Sequence, residues 1–485
     1  MKWPPAGLIS FLVPLAIYVA SMPPDVSYWD TAELQTVPYI FGIAHPTGFP
    51  TFVFAGWFFS HVIPFGTVAW RIGLVSAVAM AAAAYFVYAV VVELGESRLV
   101  GTFAALLFAL GEVAWTHGTR ADAHVLELAF GALAVWSLLR WRRTGKGSAL
   151  YWAALAYGLA LATHGVASLM AGGLALLLFP HIFKTSLRTI AAAAACLILP
   201  GLLYLYLPLR SAYLDQHRID ALAALGSCGR DPFWNYGHPA TLAALVRYMG
   251  AYNAVGSAFH DVLSLDKYPA LTVRFLDQAV HDYSLIALLL AAIGFVVLVR
   301  SDWIMALGLF LASAASVPFG IVFASDPAGY LLTALWFIAI LVGVGTGRAA
   351  AALFPRRQNL AAFVAAAVMC GLAGSRLIVN YELFEQREEL GARPLVNWVV
   401  AQTPDNAVLV ARWTYATAFG YVENVEHGLG HRITVIAEAT GCKGHYATWL
   451  KSRPLYLINL NYPDADFRTT VISQNPTLIK LDVKR

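Results

Sequence analysis

The amino-acid sequence predicts an all-α polytopic membrane bundle of about eleven transmembrane helices, followed by a small C-terminal α/β domain. Three observations carry that expectation. Of the 485 residues, 59% are hydrophobic and 12% charged, and mean hydropathy is +0.65, whereas soluble chains run at about 45–50% apolar and about 25% charged. Apolar residues run unbroken for ~17–25 positions, the length that carries a helix across ~30 Å, which excludes a β-barrel with its alternating strands. Eight of the 28 acids lie in residues 1–209 and eleven in the last 106, so the composition becomes that of a soluble domain near Tyr381. The expected division is therefore 1–379 for the membrane module and 380–485 for the soluble one.

In chain order, the apolar runs occupy 5–22, 71–93, 99–115, 124–139, 149–163, 165–180, 189–209, 284–299, 303–320, 330–347 and 359–378. The first is long enough to span and lacks a small-residue cleavage site, so it reads as a retained helix rather than a secretory signal. Basic residues gather in alternate short loops: Arg98; Arg140, Arg142, Arg143 and Lys146; Lys184 and Arg188; Arg300; Arg348, Arg356 and Arg357. The positive-inside rule makes those loops and the N-terminus cytoplasmic. The segments 23–70, 116–123, around His164, 210–283 and 321–329, with the tail 380–485, then face the exterior of the cell (inner) membrane. The run from Phe49 to Pro64 is short and bounded by prolines, which favours a re-entrant or interfacial helix over a span.

In the tail, Ala407 to Trp413, Arg432 to Glu438 and Pro454 to Asn461 are β-rich and separated by segments long enough for helices, a pattern expected of a small α/β domain. Cys196 and Cys370 sit in apolar runs as small core residues. Cys228 and Cys442 fall in polar segments, and a bridge between them stays open because spacing does not fix pairing. No internal repeat is evident, although the Ala-rich helices suit close helix packing.

Polar residues near a bilayer cost free energy and mark candidate sites. The first external segment holds Asp30 and Glu33, three apart, so on one helical turn both carboxylates face the same way. Such a pair serves as a base and its orienting partner, or ligates a cation; the alternative is an N-cap with an acid in the first turn. It is followed by Gly42, Ile43, Ala44, His45, Pro46, Thr47, Gly48, Phe49 and Pro50. The second external segment packs His117, Arg120, Asp122 and His124 into eight residues, where Arg120 and Asp122 either pair with each other or face a ligand. His164 lies alone between two apolar runs, as a ligand or as a hydrogen-bonded core histidine. Arg210 ends an apolar run facing outward, suited to a bidentate phosphate contact or to snorkelling at the interface. Asp326 precedes Pro327 and reads as an N-cap. No Gly-rich phosphate loop, Cys/His metal array, Walker signature or nucleophile elbow is found, which argues against soluble nucleotide chemistry, and nothing indicates nucleic acid as a partner.

At these residues the sequence resembles a known family. The succession Asp30, Thr31, Ala32, Glu33, Leu34, then Gly42 through Pro50, is similar to the opening signature of bacterial polytopic proteins related to the eukaryotic transmembrane protein O-mannosyltransferases, within the GT-C glycosyltransferases. Further similarity follows in order at Trp115 to Leu126, Gly158 to His164, Tyr206 to Arg210, Asn235 to Leu242 and Asp326 to Tyr330. Asp122 and His124 stand where the family typically has Glu and Tyr, and Tyr236 and His238 where it has Trp and Asp. Residues 380–485 match only loosely.

The resemblance implies a GT-C fold and an inverting transfer of a hexose such as mannose from a polyprenyl-phosphate donor to a hydroxyl, with protein Ser/Thr as the favoured acceptor. An acceptor hydroxyl must lose its proton as the new bond forms, which calls for a positioned carboxylate. Asp30 is the expected base and Glu33 its partner. A departing lipid phosphate needs cationic or N–H donors, and the expected donor-side residues are His45, Arg71, Arg120, Asp122, His124, His164, Arg210 and Asn235. No metal ligand set is assigned. The rival reading is a transporter or flippase of lipid-linked substrates, which inverted repeats and midplane helix breaks would favour; here polar residues gather at one face.

The topology is checked by cysteine substitution at Lys146 and Asn461 with a membrane-impermeant label on intact cells. Position 461 should label and position 146 should not. The reverse would mean that Phe49 to Pro64 spans.

Overall fold

Every apolar run read from the sequence carries helix, because a chain in hydrocarbon must satisfy its backbone groups within each segment. The computed structural model describes residues 5–219, 233–250, 264–322, 327–383, 391–429, 433–438, 442–460 and 467–483. In chain order the helices are α1 (Pro5–Ser21), α2 (Trp29–Ile40), α3 (Pro50–Val62), α4 (Val68–Glu93), α5 (Arg98–Ala109), α6 (Glu112–Gly118), α7 (Ala123–Thr144), α8 (Gly147–Thr163), α9 (Ala171–Leu178), α10 (Leu187–Ile198), α11 (Tyr206–His217), α12 (Leu242–Met249), α13 (Tyr268–Ser301), α14 (Trp303–Ala314), α15 (Leu332–Leu353), α16 (Gln358–Val379), α17 (Arg393–Gln402) and α18 (Trp413–Asn424).

Among the described residues, six helices are long and apolar enough to cross a membrane, or seven if α5 and α6, bent by 71° at their junction, form one broken span. Shorter apolar helices occupy Ala6–Ser21, Gly165–Leu178 and Trp303–Ala314. The chain is thus a multi-pass helical protein, and helix length alone does not reach the expected eleven spans. Helix α3, 13 residues long, extends only about 20 Å, short of a ~30 Å core. The segment 210–283, expected as a loop, contains most of α11, all of α12 and the first half of α13, whose helix breaks at Ser284 with φ 70°. That break coincides with the start of the apolar run at 284.

The described residues form two compact units that interleave along the chain. The first comprises Met1–Met22, Ser76–Leu203 and Tyr252–Glu385; the second comprises Pro23–Val75, Tyr204–Ala251 and Gln386–Arg485. In the first unit, buried polar groups find partners between helices, as an apolar surround demands. The Trp115 indole donates to Ser21 Oγ at 2.8 Å, and Trp336 Nε1 donates to the Ala83 carbonyl at 2.9 Å. Tyr18 and Tyr283 donate to the carbonyls of Ala109 and Leu335. Helices α13 and α15 pack backbone against backbone at Gly294 and Gly345.

In the second unit, the tail folds as a five-stranded sheet of order β2-β1-β3-β5-β4. Its strands are β1 (Ala407–Ala411), β2 (Ile433–Ala437), β3 (Leu455–Ile458), β4 (Phe467–Gln474) and β5 (Thr477–Val483). Strand β1 runs parallel to β2 and β3, with α18 leading out of it. Because both faces of β1 are covered, all five residues are buried. Ala407, Leu409 and Ala411 join the core that includes Phe419 and Tyr421; Val408 and Val410 join Tyr446 and Trp449 on the other face. The three strands expected from sequence form the parallel half. The β4–β5 hairpin, which joins the sheet through β5 antiparallel to β3, has no counterpart among the expected strands. Cys442 is disulfide-bonded, while Cys196 and Cys370 are free thiols. Cys228, Arg432, Asn461 and Asp326 lie outside the described residues.

An Ala Cβ at 345 would fall 1.8 Å from the Leu290 carbonyl oxygen, whereas one at 371 meets nothing within 4 Å. Gly345→Ala should therefore lower the thermal midpoint in detergent, at a cost of about 1–3 kcal/mol for overpacking. Gly371→Ala should be neutral or stabilising by up to ~1 kcal/mol, since it removes only backbone entropy. Equal midpoints for the two variants would contradict the packing described.

Candidate functional site

The segment that contains α2 folds around a buried carboxylate, Glu33. Helix α2 carries Asp30, which is exposed, and Glu33, which is fully buried one turn on. The helix has no side-chain cap, so neither acid is used in the capping arrangement their spacing allows. Glu33 reaches instead to the segment after the helix. Its Oε1 accepts the backbone N–H of His45 at 2.7 Å, and its Oε2 holds His45 Nδ1 in a short hydrogen bond.

That bond requires the chain to double back, and the local sequence provides the means. Phe41 adopts the left-handed conformation and donates to Pro38 O, and Gly42 N–H donates to Val37 O at 2.9 Å, ending α2 in a Schellman-like turn. A Cβ at Gly42 would lie 2.0 Å from Phe233 O, and Gly48 has φ +83°, so glycine is required at both positions. From α11, Arg210 donates through Nε to Phe41 O at 2.7 Å and through Nη2 to Ile40 O at 3.2 Å, satisfying orphan carbonyls at the helix end. The Tyr206 hydroxyl bonds Gly42 O, and the Tyr248 hydroxyl of α12 bonds Ala44 O. Ile43 N–H donates to Trp234 O at 3.0 Å, in a parallel bridge with Asn235. The segment from Phe41 to Phe49 is thus held by three separate stretches of chain.

Asp30 has a different environment. Its Oδ1 accepts the Trp413 indole N–H at 2.6 Å, and Trp413 lies edge-on to His45 and Tyr236. Trp413 opens α18, which is fixed from two sides: Trp234 Nε1 donates to Asn424 at 2.9 Å, and the Ala69 N–H donates to the Tyr421 hydroxyl at 3.0 Å. Arg393 grips Asp25 with two N–H groups at 2.7 and 2.8 Å and reaches Glu426 at 2.7 Å. Burial pushes the Asp25 pKa up, yet the Arg393 fork outweighs it and holds the carboxyl below its usual range.

The electrostatics divide the two carboxylates of α2. Burial raises the Glu33 pKa, and His45 offsets this only partly. Burial alone would lower the His45 pKa, but the Glu33 carboxylate, with Asp30 adding to it, lifts the imidazole to about 9. At neutral pH His45 is therefore an imidazolium with Nδ1 committed to Glu33 and Nε2–H uncommitted among the described residues. Asp30, Glu33 and His45 also bring one ligand atom each to within 4.8 Å of one another. A divalent cation held there would have to replace the His45–Glu33 hydrogen bond.

The remaining expected site residues are placed as follows. Arg71 donates to the carbonyls of Ser60 at 2.6 Å and Ile63 at 3.0 Å, closing the end of α3. Asn235 is buried and donates to Asp215 at 2.8 Å, while its Oδ1 has no hydrogen-bond partner among the described residues. Arg120, Asp122, His124 and His164 belong to the other unit. There Asp122 accepts from His117 at 2.6 Å, contacts Arg120 at 3.4 Å and caps α7 by accepting the His124 N–H at 2.8 Å. Burial raises the Asp122 pKa, but His117 and Arg120 outweigh it and hold the carboxyl far below its usual range. The His124 and His164 rings lie 4.2 Å apart beside Tyr330, and His164 Nδ1 accepts the Val166 N–H. The sequence reading missed Trp413, Tyr206 and Tyr248 as site-building residues; with 383 positions between Trp413 and Asp30, no local spacing signals the contact.

Comparison with known proteins bears on the same segment. Residues 30–187 match the family model described as the protein O-mannosyl-transferase TMEM260 N-terminal domain, which begins at Asp30. The chain is 32% identical over 128 residues to protein O-mannosyl-transferase tmem260 of Dictyostelium discoideum, a stretch covering 26% of this chain and 16% of that protein. It is 30% identical over 118 residues to TMEM260 of Mus musculus, covering 24% and 17%. The chain thus covers about a sixth of the length of these curated relatives. The crystal structure of apo ArnT from Cupriavidus metallidurans aligns over 98% of this chain and 97% of its own, with a TM-score of 0.55 and 10% identity. In sequence the chain is O-mannosyltransferase-like, and in fold it is ArnT-like.

The charged His45 contributes stability that is fully present below its ordinary pKa of 6.5 and is lost as pH rises through about 9. In histidine-selective 15N NMR, the His45 resonance should titrate near 9 in the wild type and shift down towards the ordinary range in Glu33→Gln. An unchanged midpoint in the variant would remove Glu33 as the cause.

Proposed function

We propose that the chain is a membrane glycosyltransferase that moves a sugar, such as mannose, from a polyprenyl-phosphate donor to a protein Ser/Thr hydroxyl on the external face of the cell membrane. The observation that carries this reading is an exposed carboxylate, Asp30, lying with an imidazolium, His45, in a cluster whose ligand atoms are within 4.8 Å of one another, at the start of a segment that matches O-mannosyl-transferases. Arrangement and chemistry agree. A hydroxyl held against Asp30 gives its proton to the carboxylate as its oxygen attacks the anomeric carbon. The bond from that carbon to the phosphate oxygen breaks on the opposite side, and the electron pair leaves with the lipid phosphate. The configuration inverts, and no covalent sugar–enzyme intermediate is needed.

The departing phosphate gathers negative charge and is stabilised by fixed donors better than by mobile water. His45 is suited to this, since Glu33 keeps it charged and aimed through Nε2–H. Arg210 still has Nη1 uncommitted among the described residues, so it holds the turn after α2 and offers a guanidinium edge to the same phosphate. Arg71 acts from further back by fixing the end of α3. Glu33, both of whose oxygens are occupied by His45, is the orienting partner and Asp30 the base. The extracytoplasmic placement and the eleven-span topology are part of this proposal and rest on the distribution of Lys and Arg.

Purified protein incubated with labelled polyprenyl-phosphate mannose should transfer the label to a Ser/Thr-containing acceptor. Movement of intact donor across a vesicle membrane without bond cleavage would support a flippase instead. Asp30→Asn should lower turnover by about 10²–10⁴-fold, the range for losing a general base, with donor affinity largely kept. Normal turnover in that variant would remove Asp30 from the mechanism.

A further inference from the structure

A second concavity lies in the same unit, at the carboxyl edge of the tail sheet. Strands β1 and β3 are parallel neighbours, and ligands in open α/β sheets bind outside the carboxyl ends of such strands. Arg412 directly follows β1 and Asn459 directly follows β3. Together with Thr414, Tyr415, Thr477 and Trp29 they line an open groove of about 440 Å³. Its floor is fixed: Asn459 N–H donates to Thr477 O at 2.8 Å, and Thr477 N–H donates to Asn459 Oδ1 at 2.9 Å. Its walls are aromatic. Trp29 has a backbone φ of 57° and is 49% exposed. Tyr415 is braced edge-on against Tyr28.

The groove adjoins Asp30 through covalent neighbours. Trp29 precedes Asp30, and Trp413, whose indole holds the Asp30 carboxylate, lies between Arg412 and Thr414. An extended chain advances about 3.3 Å per residue, so a hydroxyl seated at Asp30 leaves the next one or two residues of its own chain over these side chains. The lining has the mixture that recognises a peptide: flat aromatic area with little rotamer entropy, plus amide and hydroxyl groups for backbone N–H and C=O. Among the described residues its lining contains one charge, Arg412, which is exposed and makes no ion pair or side-chain hydrogen bond there. A prenyl chain would find no continuous apolar wall there.

We propose that this groove is the acceptor cleft, and that Arg412 selects an extended polypeptide with an acidic side chain next to the Ser or Thr that receives the sugar. The inference rests on the transferase reading above and adds the acceptor's class and charge. A single cation opposite a carboxylate favours the matching peptide and penalises one carrying Lys at the same place, because like charges repel.

The test uses the full-length protein in nanodiscs and fluorescent Ser/Thr peptides that differ only in flanking Asp or Lys. Binding is measured by anisotropy, and transfer kinetics are measured with polyprenyl-phosphate mannose. The wild type should favour the Asp-flanked peptide in Kd and in KM. Arg412→Glu should reverse the order, changing the ratio of the two peptides by at least about tenfold; Arg412→Lys should restore it. A folding defect would weaken both peptides alike and leave their ratio unchanged, so the reversal is read from the ratio. Transfer that is indifferent to flanking charge in both proteins would overturn the groove assignment while leaving the transferase reading intact. Charge-dependent binding without any transfer would do the opposite. Binding of a labelled oligosaccharide in place of either peptide would also overturn it.

Discussion

A carboxylate with no exposure to water must have its oxygens satisfied, and much of the second unit can be understood as the means of satisfying Glu33. Leaving a buried ionised group unpaired costs several kcal/mol, so the chain after α2 is bound to return within reach. It does so by a left-handed residue, a glycine against a carbonyl and a backbone N–H aimed at Oε1. The carbonyls exposed by that reversal need donors in turn. Tyr206, Arg210 and Tyr248 provide them, which draws in two helices distant in sequence. One buried charge therefore orders three stretches of chain, and His45 is positioned as a result.

The same constraint explains how two acids three residues apart come to play different parts. Asp30 and Glu33 share a helix face, yet one is exposed beside an indole and the other is sealed under an imidazole. Environment rather than residue type separates a group that can exchange a proton with an incoming molecule from one that fixes the charge of its neighbour. The Gly42-to-Pro50 stretch is the element that creates the difference, since it carries His45 back onto Glu33.

Much of this was legible in the sequence where the determinants are local. The apolar runs each carry helix, though α12 and the first half of α13 fall outside them; the break at Ser284 falls where polarity changes, and Pro50 with Pro64 bounds a helix too short to span. Ala407 to Trp413 reads as β-rich, and the strand formed there, Ala407–Ala411, is buried on both faces. The hairpin after β3 was missed because β4 shows mostly exposed residues and no core pattern. Asp30, Glu33 and His45, singled out from the sequence, lie together in the fold, whereas spacing alone favoured capping for the acids. His45 was assigned to the donor, while its bond to Glu33 depends on a reversal that periodicity does not encode. Arg210 and Arg71 are expected from sequence on the donor side; in the fold each serves backbone carbonyls. Trp413 could not be found at all, since its role exists only once the tail has folded onto α2.

The Trp413–Asp30 hydrogen bond also has a consequence for the order of events in the making of the protein. Synthesis proceeds from the N-terminus, and a carboxylate near the beginning waits for a partner 383 residues downstream. Contacts of such separation form late, after shorter loops have closed. Helices α1 to α16 can therefore be laid down before Asp30 gains its indole partner. That partner arrives only when α18, which Trp413 opens, docks.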